Sequence, residues 1–327
     1  MNDFVPVRWL AGGHRMTIYA GLRRRVFPDL PPPEDRLFDV PPDTRLLARC
    51  HWQRRPADHP TLVILHGLEG SADAHYVRGL SDKAWRRGFN IVRLNQRNCG
   101  RTEHLSPTLY HSGLSGDPRA VLEELAARDR LPRIGIVGYS LGGNLALKLA
   151  GELGDAHPPA LKAVVAVSPV IDLPCCMTAI ERRANRVYEL NFLRGLRERI
   201  AAKAALFPDR YDAAGLAHIR SIRAFDARFT APSFGFASAE DYYVRASARR
   251  VVDRIRVPTL ILSAADDPFV PPAQFSAPEV AGNPNITTVV TRHGGHCGFI
   301  ARRDDRRSHD GYWAEHAAVA FVAERSM

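Results

Sequence analysis

Short apolar runs alternate with longer stretches of helical periodicity along most of this chain. Six of these runs are continuous rather than alternating, which is typical of strands buried on both faces of a parallel sheet. They predict strands at about 61–65, 91–94, 134–137, 161–167, 259–262 and 286–290. Helices are predicted at about 74–87, 118–130, 143–149 and 310–323. This order predicts an α/β fold in which helices flank a mostly parallel central β-sheet.

One interval does not fit the alternation. About ninety residues separate the strand that ends near Ser168 from the strand at 259–262, too many for a simple connection. The interval has helical periodicity and is rich in arginine, alanine and aromatic residues. We therefore predict a single domain over residues 1–327 with a helical cap inserted at about 172–250. Its aromatic side chains either form the core of the cap or line a substrate pocket.

A Gly-Tyr-Ser-Leu-Gly segment at 138–142 lies between the strand at 134–137 and the helix at 143–149. A serine between two such glycines, at a turn from strand to helix, is the pattern of a nucleophile elbow. Side chains two positions before and after the serine would collide with backbone in so tight a turn. The serine would project from the end of the sheet, beside a helix N-terminus that favours negative charge. The pattern predicts Ser140 as a nucleophile.

A nucleophilic serine needs a histidine as base and a carboxylate that orients the histidine. In this topology the acid and then the histidine follow the serine in the chain. Asp266 and Asp267 follow the strand at 259–262, and we predict Asp267 as the acid because it directly precedes a Pro-Phe-Val-Pro segment. His293 and His296 follow the next strand, and we predict His296 as the base because glycines flank it on both sides. Asp266 is then expected in the turn, and His293 is expected to bond within its loop.

Two backbone N–H groups would complete the site as an oxyanion hole. Leu141 directly follows the serine, and Leu68 lies in the His-Gly-Leu segment after the first predicted strand. In that segment His66 is predicted to shape the loop and not to act as a second base. Asp172 is a further candidate acid, although a role as the cap of the first helix of the insertion is favoured.

The formal net charge of +10 is compatible with nucleic acid or with an anionic membrane surface. However, only four of the 45 basic residues are lysine, and the arginines are scattered without an interleaved aromatic motif. We therefore favour a general arginine bias and expect no nucleic-acid partner. Peripheral contact with anionic lipid stays open, and the sequence leaves the oligomeric state open too.

The five cysteines form neither a C-x-x-C pair nor a metal-ligand spacing, so we expect reduced thiols, no metal and no cofactor. Cys297, beside the predicted base, is expected to pack rather than react. A chain of 327 residues can bury a large core without disulfides or metals. The start of the chain lacks an apolar signal segment, and no run approaches 18 apolar residues. We therefore expect a cytoplasmic protein without a membrane span.

Taken together, these motifs resemble the YheT-like family of the α/β-hydrolase superfamily, also called the alpha/beta hydrolase 4 family. The matching stretches are WLAGGHRMTIYAGLRRR, HGLEGSADAHYVRGL, RLNQRNCG, GYSLGGNLALKLAGE, AVVAVSPVIDL, TAPSFGFASAEDYYVRASA, VPTLILSAADDPFV and GGHCGFI. The resemblance implies the α/β-hydrolase fold and a charge-relay triad of Ser140, Asp267 and His296. Met16 departs from the family pattern, because similar chains carry glutamine at this position. The substitution puts only a local N-terminal hydrogen bond in doubt.

The serine, acid, histidine and oxyanion loop predict a serine hydrolase that cleaves carboxylic esters of short-to-medium acyl chains through an acyl-enzyme on Ser140. Acyl transfer to an alcohol requires the same triad and is one alternative. A lipid esterase or phospholipase-like activity is another, so the expected partner is a small-molecule ester or a lipid. The non-enzymatic alternative is an acyl-ligand-binding protein on the same fold.

Overall fold

The computed structural model describes residues 4–302 and 310–326. Within this part of the chain, eight strands form one sheet in the order β1-β2-β4-β3-β5-β6-β7-β8. The six predicted strands are present, and each pairs in parallel with its neighbours within this set. This confirms the predicted sheet. Their bounds are Thr61–Leu65 for β3, Asn90–Leu94 for β4, Ile134–Tyr139 for β5, Leu161–Val167 for β6, Thr259–Ala264 for β7 and Ile286–Thr291 for β8.

A hairpin that the sequence pattern does not predict lies at one edge of the sheet. Its strands are β1, Glu34–Val40, and β2, Thr44–His51, and β2 runs antiparallel to both β1 and β4. Only Phe38 and Val40 of β1 are buried, because β1 is an edge strand. A strand that buries so few side chains has no continuous apolar run, so its sequence carries little of the signal that marks the central strands.

Helices cover both faces of the sheet, as the pattern predicts. Leu62 and Ile64 of β3 belong to the core under two helices on one face, α2 and α11. Val63 and Leu65, which alternate with them, belong to the core under α3 and α4 on the other face. The bounds are Gly13–Leu22 for α1, His75–Arg86 for α2, Gly116–Glu123 for α3, Leu141–Leu153 for α4 and Trp313–Ser326 for α11.

Three helices differ from their predicted bounds. The helix predicted at 143–149 is longer and spans Leu141–Leu153. The predicted helix at 118–130 is α3 followed by a π-helical turn, Glu124–Arg128. The closing helix, predicted from residue 310, begins at Trp313. Tyr312 forms an isolated antiparallel bridge with Ile300, so the backbone before Trp313 is extended rather than helical.

The long interval between β6 and β7 is helical, as its periodicity predicts, and we call residues 173–254 the helical insertion. A π-helical turn at Asp226–Thr230 separates two of its shorter helices. The α10 helix, Pro278–Ala281, lies later, between β7 and β8. The helices of the insertion are α5 at Leu173–Ile180, α6 at Arg186–Leu206, α7 at Ile222–Phe225, α8 at Ala231–Ser233 and α9 at Ala239–Ala246.

The turn from β5 to α4 is tight. Ser140 has φ 54° and ψ −115°, a conformation that non-glycine residues rarely adopt. A Cβ atom on Gly138 would lie 2.1 Å from the carbonyl oxygen of Gly142. A Cβ atom on Gly142 would lie 2.4 Å from the carbonyl oxygen of Leu65 at the end of β3. Both glycines are therefore required by close backbone contacts, as the sequence motif predicts.

This contact predicts that Gly142→Ala is destabilising, because the new methyl group must displace the backbone at Leu65. We expect a loss of about 1–3 kcal/mol in the free energy of unfolding, the usual range for overpacking an interior site. Urea denaturation followed by circular dichroism measures this loss.

Gly21→Ala is the matched control, because Gly21 lies in α1 and a Cβ atom added there would meet nothing outside its own helix within 4 Å. Alanine favours helices over glycine, so this variant should be as stable as the wild type or slightly more stable. Equal stability of the two variants would contradict the steric argument at Gly142.

Candidate active site

Ser140 follows the carboxyl end of β5, which is an inner strand of the sheet, and is the N-cap of α4. Its N–H donates to the carbonyl oxygen of Val167 at the end of β6, at 2.9 Å. Its own carbonyl oxygen accepts from the N–H of Asn144 at 3.1 Å. The residue is thus fixed to the neighbouring strand on one side and to its helix on the other, and its side chain lines a cavity.

The cavity has a volume of about 100 Å³ and lies between the end of the sheet and the helical insertion. Aliphatic and aromatic side chains form most of its wall, and many of them belong to the insertion. Leu68 and Leu141, the predicted oxyanion residues, line the cavity together with Ser140. The structure therefore brings these three residues together around one apolar space.

The loops after β7 and β8 meet through Asp267 and His296. The Nδ1 atom of His296 lies 2.9 Å from Oδ2 of Asp267, whose side chain is fully buried. The other carboxylate oxygen accepts from the N–H groups of Phe269 and Val270 at 3.1 and 3.0 Å. Because an ionised carboxylate only accepts, Nδ1 carries a proton, and in the neutral ring Nε2 is the atom that can accept one.

The environment of His296 favours its protonated form. Burial by itself lowers the pKa of the imidazole, but the neighbouring Cys297 and Asp267 side chains outweigh burial and raise the pKa above its usual value of 6.5. The ring of His296 packs on that of Phe269, with centroids 4.1 Å apart. Since Phe269 also lines the cavity, the imidazole lies directly behind the cavity wall.

A second Asp–His pair lies beside the first. Nδ1 of His293 is 3.0 Å from Oδ2 of Asp266, and Oδ1 of Asp266 accepts from the N–H of Gly295 at 2.9 Å. The expectation that His293 bonds within its own loop is therefore wrong, because its partner lies in the preceding loop. The side chains of Asp266 and His293 are 20% and 29% exposed, against 0% and 10% for Asp267 and His296. The buried pair is the one that contacts the cavity wall.

Within the part of the chain that the structure describes, the loop after β3 leaves the backbone N–H of Leu68 without an acceptor, while its neighbours are paired. The N–H groups of Gly67 and Glu69 donate to the hydroxyls of Tyr76 and Tyr110 at 2.9 and 3.0 Å. Among the described residues, the N–H of Leu68 donates to no group. Leu141 is the first residue of α4, so its N–H also has no intrahelical acceptor. Two free N–H groups therefore belong to residues that line the cavity with Ser140.

His66 has the structural role that the sequence analysis assigns to it. Its Nε2 accepts from the N–H of Gln96 at 3.1 Å, so Nδ1 carries the proton and donates to the carbonyl oxygen of Gly67 at 2.8 Å. Burial lowers the pKa of the ring to about 4, which keeps it neutral near pH 7. Both ring nitrogens are engaged in holding the loop.

A buried ion pair joins this loop to the insertion. Oε1 and Oε2 of Glu69 accept from Nε and Nη2 of Arg199 on α6 at 3.1 and 2.8 Å. The hydroxyl of Tyr110 donates to Oε1 of the same carboxylate at 2.8 Å. Because Glu69 directly follows Leu68, the position of the free N–H group depends on contact with the insertion.

The helix α1 also holds the site, which the sequence pattern does not predict. The N–H of His296 donates to Oγ1 of Thr17 at 2.8 Å, and that hydroxyl donates to the carbonyl oxygen of Gly13 at 2.7 Å. A Cβ atom on Gly13 would lie 1.8 Å from the carbonyl oxygen of Asp266, so only glycine permits this approach. The adjacent glycines at positions 12 and 13 were the available signal. Met16 is buried, and its sulfur lies 3.3 Å from the N–H of Ile300.

Two further candidates have structural contacts. Asp172 caps α5, accepting from the N–H of Cys175 at 3.1 Å, and pairs with Arg249 at 2.6 Å, so its favoured role as a cap is confirmed. The Sγ of Cys297 lies 3.8 Å from the carbonyl oxygen of Val167 and packs against the core, as expected. All five cysteines are free of disulfides.

The described residues contain no cluster of three or more histidine, cysteine, aspartate or glutamate side chains that is arranged to hold a metal ion. No helix within 4–302 or 310–326 has the length and apolar character needed to cross a membrane.

Comparison with known proteins identifies the family of this chain. The family model for the alpha/beta hydrolase fold matches residues 60–302. YheT of Escherichia coli (strain K12) is 36% identical over 303 residues, which cover 91% of this chain and 87% of YheT. A monoacylglycerol lipase of Saccharomyces cerevisiae (strain ATCC 204508 / S288c) is 31% identical over 257 residues, and the match covers 76% of this chain but only 56% of the lipase.

Among solved structures, the esterase Pf2001 of Pyrococcus furiosus superposes with a TM-score of 0.59. The superposition covers 93% of this chain and 98% of the esterase at 16% identity, so this likeness shows the fold alone. The family model and the identity to YheT are stronger evidence, because both are sequence matches that cover most of this chain. The chain belongs to the α/β-hydrolase superfamily and, within it, to the YheT-like family.

Proposed function

We propose that the protein is a serine hydrolase that cleaves carboxylic esters through an acyl-enzyme on Ser140. The observation that carries the proposal is the buried Asp267–His296 pair behind the wall of the cavity that Ser140 lines. We assign the predicted cap of the single domain, at about 172–250, to the helical insertion. The mostly apolar wall suits the acyl chain of such an ester, which we take to be short to medium in length.

In the proposed reaction, Oγ of Ser140 attacks the ester carbonyl carbon while Nε2 of His296 takes the hydroxyl proton. Asp267 holds Nδ1–H and stabilises the imidazolium. The negative charge on the tetrahedral oxygen is met by the N–H groups of Leu68 and Leu141, each worth roughly 3 kcal/mol of transition-state stabilisation.

Collapse of the intermediate breaks the bond to the alkoxy group, which leaves as the alcohol with the proton from His296. Water then attacks the acyl-Ser140 ester and gives its proton to His296. The carboxylic acid departs and Ser140 regains its proton. Another alcohol in place of water would yield a new ester, which is the acyl-transfer alternative.

The nucleophile assignment predicts that a fluorophosphonate probe labels the wild type and does not label Ser140→Ala. Hydrolysis of p-nitrophenyl esters of two to twelve carbons should fall at least about 10³-fold in this variant, because the covalent step is lost. Gel fluorescence and nitrophenolate absorbance measure the two effects.

Ser81→Ala is the control, since Ser81 is buried on α2 with its hydroxyl bonded to the carbonyl oxygen of Val77. Labelling of Ser140→Ala equal to the wild type would reject the assignment.

Ethanol added in excess to the ester assay separates hydrolysis from acyl transfer. A product dominated by ethyl ester in mostly aqueous buffer would favour the transferase.

The pKa of His296 predicts the pH dependence of hydrolysis. Only the neutral ring can take the proton of Ser140, so activity should rise with pH through the pKa of His296, above the ordinary value of 6.5. Asp267→Asn removes the negative charge that favours the imidazolium, so the midpoint of this rise should move to lower pH. In the same variant kcat should fall about 10⁴-fold, because the tautomer is no longer held.

Asp266→Asn is the matched control in the neighbouring pair and should leave the midpoint of the pH profile near that of the wild type. Profiles of kcat/KM for all three proteins decide between the two carboxylates. A shift in Asp266→Asn with none in Asp267→Asn would reverse the choice of acid.

We also propose that the N-terminal segment makes peripheral contact with anionic lipid, which suits an esterase that acts on lipids. Trp9, Leu22 and Val26 are 63%, 78% and 86% exposed. Residues 4–28 contain five arginines and no acidic residue. Exposed apolar side chains beside cationic ones are the composition of an interfacial segment.

The cytoplasmic location and the absence of a nucleic-acid partner stay predictions from the sequence.

The proposed lipid contact of the N-terminal segment predicts that the wild type sediments with vesicles of phosphatidylcholine and phosphatidylglycerol in equal parts. It should not sediment with vesicles of phosphatidylcholine alone. Replacing Trp9 and Leu22 together by serine should weaken binding, as should raising the salt concentration. Val244→Ser, which removes an exposed apolar side chain of α9, is the control. Equal sedimentation of the wild type and the Trp9/Leu22 variant would exclude this surface.

A further inference from the structure

The cavity wall contains a carboxylate that the proposed reaction does not use. Asp226 begins the π-helical turn Asp226–Thr230 of the insertion and is only 7% exposed. It lines the same cavity as Ser140. A substrate bound at Ser140 therefore shares its cavity with a buried acidic group.

Asp226 is held by neutral donors. The hydroxyl of Thr230 donates to Oδ1 at 2.6 Å, and that of Tyr243 donates to Oδ2 at 2.7 Å. In the part of the chain that the structure describes, no basic side-chain nitrogen lies within 4.0 Å of this carboxylate. Arg223 acts on it from a greater distance, but its guanidinium is paired with Glu181 and Glu240 at 2.8 Å each.

The absence of a direct counter-charge has an energetic consequence. Burial raises the pKa of Asp226 to about 6, while the bonds from Thr230 and Tyr243 act in the opposite direction. The ionised carboxylate is therefore the form that burial disfavours. A buried charge without a partner is costly, because hydrogen bonds from neutral groups replace only part of its hydration. A cation brought into the cavity would offset this cost.

Aromatic rings surround the same space. Phe225, Tyr242 and Tyr243 line the cavity with Asp226, and the rings of Tyr242 and Tyr243 lie 5.1 Å apart. The faces of such rings attract cations, above all alkylated ammonium groups. The arrangement differs from that at Glu69, whose carboxylate is fully engaged with Arg199. The guanidinium of Arg223 lies 5.4 Å from the centroid of the Tyr243 ring, so within the described residues Phe225 and Tyr242 are the rings beside Asp226 that have no protein cation over them.

We propose that the Asp226 wall of the cavity binds a cationic nitrogen, an ammonium or alkylated ammonium group, carried by the ester substrate. The inference rests on the proposed ester hydrolysis at Ser140 and names the class of ester that the site selects. The carbonyl carbon lies at Ser140, and the cation sits in either the acyl or the alcohol part.

The experiment compares two pairs of esters that differ only in charge. The first pair is butyrylcholine and 3,3-dimethylbutyl butyrate, in which a tert-butyl group replaces trimethylammonium in the alcohol part. The second is p-nitrophenyl 6-(trimethylammonio)hexanoate and p-nitrophenyl 7,7-dimethyloctanoate, with the same replacement in the acyl part. Acid release in a pH-stat gives kcat/KM for each ester with the full-length protein.

The wild type should favour the cationic ester of at least one pair by about tenfold, as expected for a desolvated cation over aromatic faces beside a carboxylate. Asp226→Asn keeps the shape of the side chain and removes its charge, so the ratio of kcat/KM should fall to about one. Tyr243→Phe removes a hydrogen bond and keeps the carboxylate, so the preference should persist.

Asp117→Asn is the matched control, because Asp117 is also buried but is paired with Arg97 and does not line this cavity. A purely structural role of Asp226 would give lower stability with an unchanged ratio. Should Asp226→Asn fail to fold, inhibition of the wild type decides. The cation (6-hydroxyhexyl)trimethylammonium should then inhibit hydrolysis of the neutral ester more strongly than its uncharged counterpart 7,7-dimethyloctan-1-ol does.

Equal or higher kcat/KM for the neutral ester in both pairs would overturn the inference, as would a cation preference that survives in Asp226→Asn. In that case, hydrolysis of the neutral esters that depends on Ser140 would leave the proposed function intact. If no ester in the panel is cleaved and no probe labels Ser140, the proposed function fails and this inference fails with it.

Discussion

The close approach of the β5–α4 turn to the end of β3 is the constraint on which the rest of the site depends. Gly142 leaves no room for a side chain against the carbonyl oxygen of Leu65, and Ser140 adopts a strained backbone conformation between them. A Cβ atom on Gly67 would lie 3.2 Å from that of Ser140. The serine side chain, the N–H of Leu141 and the loop that carries Leu68 are therefore parts of one packed unit. Strain of this kind persists only where the surrounding structure over-determines it.

The histidine side of the site is held differently. The loops after β7 and β8 carry Asp267 and His296, but their backbones are also fixed by α1 from the far end of the chain. Thr17 accepts from the N–H of His296, and Gly13 packs on the backbone of Asp266. The N-terminal helix thus acts as a positioning element for the base, although none of its side chains lines the cavity.

The insertion contributes charge as well as apolar surface. Arg199 neutralises Glu69 next to the oxyanion loop, and the two side chains are only 10% and 12% exposed. Such a pair, once formed, is costly to break, because either partner alone would be an uncompensated buried charge. It ties the conformation of the loop to the docking of α6. Asp226, with neutral donors only, is the contrasting case within the same cavity.

The sequence by itself determined the six parallel strands and the position of Ser140. Strands buried on both faces require continuous apolar runs, and the tight turn requires glycines at fixed distances from the serine, so both leave a local pattern. The edge strand β1 left none, because it buries only Phe38 and Val40. The tertiary structure decided which Asp–His pair lies behind the cavity wall, since Asp266 and Asp267 are neighbours with the same chemistry. It also decided the role of Thr17, which is 279 residues from His296 in the chain. Local periodicity records which side chains are buried, whereas contacts between distant loops depend on the path of the whole chain.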